Sequence, residues 1–178
     1  MIFLEDKKEE KDDGWNNDFY PSYTPKEMLE LGIFEGKYLN DEKNKFPSSW
    51  FKDAKVTGVD KDPDPSLNKF GIKSRKSLSH WKEKGWIKTD KKGWFQWYCN
   101  YFIGRRLGEE DEWQIKRWRQ FVARHMGQIK ANCNRNNEDC RQKQRQGLLQ
   151  WAWDSTELFD DEKIKKKNLK KIKKKAKL

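Results

Sequence analysis

The stretch GWFQWYCNYFIGRR, residues 93–106, constrains the fold of this chain more than any other. It places six aromatic side chains and a cysteine between Trp94 and Phe102. Trp94, Trp97, Tyr98, Tyr101 and Phe102 fall at i, i+3, i+4, i+7 and i+8, the spacing of one helical face. A stripe of that width faces a core. The average composition points the other way, with 34% hydrophobic and 39% charged residues and a mean hydropathy of −1.26, values that lean towards disorder. Ring area offsets that average. Ten Trp, ten Phe and five Tyr are present, and each buries roughly 150–250 Å² of surface. The competing reading of the same stretch is a platform for stacked bases, with rings beside the paired Arg105 and Arg106.

At 178 residues the chain suits one domain with tails, since domains usually hold about 100–150 residues. The spacing predicts a mostly α-helical, Trp-rich domain of about four or five short helices. TPKEMLELG opens the first, with Thr24 and Glu27 as a capping box, Pro25 at the first helical position and Gly32 as the stop. A second is expected from Ser74 or Ser77 to Gly85. The aromatic helix starts at Trp94 and ends by Gly104 or Gly108. The next spans about 110–130, with Ile115, Trp118, Val122, His125 and Ile129 on its apolar stripe and acids in its first turn. The last runs from about Cys140 to Asp154. A small β-hairpin is expected near 86–97. The expected domains are an acidic mobile lead-in at 1–18, the helical body at 19–158 and a disordered Lys-rich tail at 159–178.

Charge is concentrated in that tail. The net charge is +11, yet residues 163–178 carry ten Lys and no acid, leaving +1 for the rest. Cationic tails of this kind contact polyanions. Lys165, Lys166, Lys167, Lys170, Lys171, Lys173, Lys174 and Lys175 are therefore candidate phosphate contacts. A disordered tail could be removed without changing the melting temperature. Within the body, Arg105, Arg106, Arg117, Arg124, Arg141 and Arg145 are candidates for a structured anion patch. Gln120 and Gln128 share a helical face with Arg117 and Arg124, and Arg and Gln are the side chains that contact guanine and adenine edges.

Other chemistry finds little support. His125, Cys133, Cys140 and Cys99 are too widely spaced for a compact zinc site, so no metal and no cofactor is expected. Cys99, amid rings, suits a buried small hydrophobe. Asp60, Asp62 and Asp64 alternate in a turn-rich loop but lack the Gly and Glu of an EF-hand. No nucleophile elbow, phosphate loop, zinc-protease motif or dinucleotide fingerprint occurs, so the reading leans away from an enzyme and leaves a dispersed acid–base site open. An odd count of three Cys, with no export signal and no membrane span, predicts reduced thiols and an intracellular setting in nucleus, cytoplasm or virion.

Two resemblances bear on function. Residues 73–98, KSRKSLSHWKEKGWIKTDKKGWFQWY, resemble the helix and wing of MerR- or excisionase-type winged helix-turn-helix domains. Phe95-Gln96 stands where that family carries a wing Arg. Over roughly residues 20–155, the GWFQWYC…GRR and LLQWA segments resemble an uncharacterised protein family of large DNA viruses and some fungi and algae. That likeness implies a viral or virus-derived intracellular protein and no particular activity. The expected function is non-enzymatic nucleic-acid binding, DNA ahead of RNA, with the Lys tail supplying electrostatic affinity. The alternatives are a virion or interaction protein whose tail tethers a genome or an acidic partner, and an enzyme that modifies nucleic acid.

Overall fold

The structure, a computed structural model, describes residues 14–39, 41–57, 60–73, 84–85, 88–134 and 136–176. Five α-helices are present among them: α1 (Pro25–Glu30), α2 (Trp94–Phe102), α3 (Glu109–Asn132), α4 (Gln142–Gln150) and α5 (Glu162–Ala176). No strand occurs among the described residues. The mostly helical class and the Trp-rich core follow the sequence expectation. The hairpin does not: residues 88–92 are bends and turn, and Trp94–Trp97 are helical. The helix expected before Gly85 lies outside the described residues except for Lys84 and Gly85, as do Trp86 and Ile87.

The centre of the molecule is α2. Eight of its nine residues are buried, including Phe95, Gln96 and Cys99 on the sides away from the predicted stripe. A helix apolar almost all round must be enclosed, and three layers enclose it. On one side α3 packs through Trp118, fully buried, and the Trp97 indole donates to Asp111 Oδ1 at 2.8 Å. The same carboxylate accepts from the Leu107 amide at 2.6 Å. On another side α1 and the short 3₁₀ turn Ser48–Trp50 close the core with Met28, Leu29 and Trp50. The third layer is an irregular strap at 15–23. Its Phe19, with no exposed surface, meets Trp97, Tyr98 and Trp118 at ring-centroid distances of 5.5, 5.2 and 5.0 Å. Trp15 is buried too, and its indole donates to the Phe19 carbonyl at 2.8 Å. The body therefore begins at least at Trp15 rather than at residue 19, and residues 1–13 of the lead-in lie outside the described residues.

The local signals for α1 are realised in full. Thr24 Oγ1 accepts from the Glu27 amide and the Glu27 side chain accepts from the Thr24 amide. Gly32 stops the helix at φ +60°, where a Cβ would lie 2.4 Å from the Leu67 carbonyl oxygen. Only glycine fits there.

Two expectations are overturned outside the core. Cys133 and Cys140 are joined by a disulfide, with Cα atoms 5.8 Å apart, and are not reduced thiols. They clasp the loop between α3 and α4. Sequence separation alone could not show that the loop doubles back so tightly, and Cys99 is left as the one unpaired cysteine, buried as expected. The second correction concerns the tail. Residues 162–176 are helical and docked, not disordered. Asp161 caps this helix by accepting from the Lys163 and Ile164 amides at 3.0 and 3.2 Å.

Candidate nucleic-acid interface

The six arginines do different work. Arg105 makes a two-pronged pair with Asp90, a carboxylate only 7% exposed that also accepts from Asn100. Those hydrogen bonds raise the guanidinium pKa further above its ordinary value. The Arg106 guanidinium lies 3.8 Å from the Tyr101 ring centroid and donates to the carbonyls of Tyr101 and Gly14 at 2.7 and 3.1 Å. It ties the start of the strap to the end of α2. Arg117 is stacked against Trp113 and Trp151, at 4.6 and 5.4 Å, and burial lowers its pKa to about 10.

Arg145 is 1% exposed. It donates to the carbonyls of Cys140, Asn137 and Ser155 and to the Ser155 hydroxyl, which holds the disulfide loop and the segment after α4 on one side chain. Arg124 and Arg141 stay exposed, beside His125 and Gln144 respectively. Three of the six, Arg105, Arg117 and Arg145, are thus committed to the body. Arg106, Arg124 and Arg141 are exposed, Arg106 being held at the surface by its two carbonyls.

The half-buried rings form a column rather than an open platform. Trp113 lies under Lys88 and Arg117, at 4.1 and 4.6 Å. Trp151 sits between Phe121, stacked at 4.8 Å, and Trp94 at 4.9 Å. Phe121 has His125 on it at 4.2 Å. Large apolar side chains count as exposed at only Ile103 and Leu158 among the described residues.

The lysines of α5 behave differently. Its inward face carries Ile172, with no exposed surface, Asn168, 1% exposed, and the half-buried Ile164 and Leu169. The Asn168 amide donates to the Tyr20 carbonyl, and Lys171 donates to the Ser22 carbonyl and to Glu27 Oε2 at 3.0 Å. Burial pushes the Glu27 carboxyl up, but hydrogen bonds from Lys171 and the Thr24 amide outweigh it and hold the pKa below its ordinary value. Lys175 adds a longer pair to Glu27, Lys167 pairs with Glu157, and Lys165 lies over the Tyr20 ring. Four candidates from the tail are therefore partly spent on docking. The others project outward. Lys163, Lys166, Lys170 and Lys174, at i, i+3, i+7 and i+11, are all exposed, with Lys173 half-buried beside them. None of these five makes an ion pair with a described residue.

Sequence reasoning missed Asn168 and Glu27 as anchors, and Lys163 as a member of the stripe. The Asp161 cap ahead of a period near four in Ile164, Asn168 and Ile172 was the available signal.

These features define a helical, Trp-rich body bearing a docked basic helix. Compared with protein-family models, curated proteins and solved structures, the chain matches none. Among the described residues, no helix is long and apolar enough to cross a membrane, and no group of His, Cys, Asp or Glu could hold a metal ion.

Proposed function

We propose that this protein binds nucleic acid without catalysis, through the outward lysines of α5. One observation carries the reading: a helix with four exposed lysines on one line, held rigidly against the body by its other face. Docking fixes the lysine backbones before binding, so less chain entropy is lost than a disordered tail would lose on a polyanion. Each phosphate contacted releases condensed counterions, which makes the affinity fall steeply with salt. The same docking argues against insertion into a lipid surface, because Ile164, Leu169 and Ile172 are turned into the protein.

The test is the fourfold variant Lys163→Gln, Lys166→Gln, Lys170→Gln, Lys174→Gln. Every changed position is exposed, so the melting temperature should stay within about 2 °C of the parent. Duplex affinity at low salt should drop by at least tenfold, since several phosphate contacts disappear together. Unchanged affinity in the folded variant would refute the reading.

A further inference from the structure

We infer that the α5 face takes double-stranded DNA by its phosphates alone, with no base readout and no stacking. The inference rests on the nucleic-acid reading above and specifies its ligand. First, every outward side chain of the stripe is Lys, a point charge on a flexible stem, which contacts phosphate without encoding sequence. The one amide side chain of α5, Asn168, is 1% exposed and donates to the Tyr20 carbonyl. Three of the six body arginines, Arg105, Arg117 and Arg145, are likewise turned to partners within the body, and Arg106, though exposed, donates to the carbonyls of Tyr101 and Gly14.

Second, among the described residues the ring chemistry that single strands need is not on offer. Single-strand binders present open aromatic faces on which bases stack. Here the half-buried rings cover one another: Trp151 lies between Phe121 and Trp94, and Trp113 lies under Lys88 and Arg117. Third, the length of the stripe suits a duplex. From Lys163 to Lys174 the helix advances roughly 16 Å, enough to reach from one phosphate strand to the other across a groove about 12 Å wide. Five lysines with no ion pair to a described residue set the number of contacts at about four or five. The salt dependence, log K against log salt, should then have a slope near −4 on duplex DNA. Ten equivalent lysines would give a slope near −9.

The experiment uses the full chain and fluorescence anisotropy over a range of salt. The probes are three labelled duplexes of equal length (mixed sequence, all A·T, all G·C), the matching mixed single strand, and vesicles of mixed phosphatidylserine and phosphatidylcholine. The expected result is that the three duplexes agree within about threefold, less than one mismatched contact is worth to a sequence-specific protein. The duplex slope should lie near −4, and both the single strand and the vesicles should bind at least about tenfold more weakly than duplex. A preference above about tenfold among the duplexes would overturn the inference, and so would a single strand binding as tightly as duplex. If the preference vanishes in Arg124→Gln, base reading belongs to α3 and phosphate-only recognition is refuted. Vesicles binding more tightly than any DNA would refute it as well. Absence of binding to every DNA probe would sink the nucleic-acid reading itself, which separates that failure from the others.

Discussion

At the scale of single residues, aromatic side chains supply most of what holds the body together, and the buried indoles of Trp15, Trp97, Trp118 and Trp153 find acceptors while that of Trp94 does not. Trp118 has no exposed surface, packs edge-on against Phe19 and Tyr20, and donates its indole N–H to the Trp151 carbonyl at 2.8 Å. Trp118→Ala should therefore lose roughly 3–5 kcal/mol, the range for deleting a large buried ring. Chemical denaturation should show this as a lower midpoint, and a variant that unfolds like the parent would contradict the packing described. Trp97→Ala should lose a similar amount and also leaves Asp111 without its indole partner. His125 offers a pH test. Burial and the neighbouring Arg124 lower its pKa below the ordinary imidazole value, and its Nδ1 lies 3.0 Å from Gln144 Nε2. A base whose pKa is lower folded than unfolded binds more protons when unfolded. Stability should thus decline as pH falls below about 6.5 and approaches the folded value. His125→Gln should flatten that part of the profile measured by urea unfolding at several pH values.

At the scale of elements, the sequence is most transparent where local signals suffice. The capping box of α1, the glycine stop after it and the aromatic stripe of α2 all stand as the spacing suggests. In α3 one position was misplaced: Met126, 7% exposed, faces the core, while His125 rides on Phe121 outside it. A 24-residue helix drifts slowly around its axis, so a neighbour one position away can take over the core site. The basic helix was opaque for a different reason. Intrinsic signals in residues 163–178 are ten Lys with two Ile and two Leu, and what orders them is supplied by distant partners: Tyr20, Ser22 and Glu27. Removing residues 162–178 should consequently lower stability. Loss of Ile172 burial alone is worth about 2 kcal/mol, or a fall of roughly 4–8 °C in melting temperature. Scanning calorimetry of the truncated and full chains gives the answer. Equal melting temperatures would mean that α5 does not dock in solution.

At the scale of the whole molecule, the candidate interface was only half legible. The lysines were visible in the sequence, but which of them face solvent depends on how α5 seats against α1 and the strap. The arginines were equally visible, and Arg105, Arg117 and Arg145 proved to be ties within the body because the fold brings a carboxylate, carbonyls and rings onto their donors. The same long-range seating has a consequence for how the molecule is made. Asn168 meets the Tyr20 carbonyl across 148 positions of sequence, so a ribosome finishes the helix only after the segment it covers has long emerged. Until then the strap, Ile172's seat and the Glu27 carboxylate stay uncovered. Contacts of such separation form late. The docking of α5 and the creation of the lysine face are therefore one event, and a nascent chain has no finished lysine face before it.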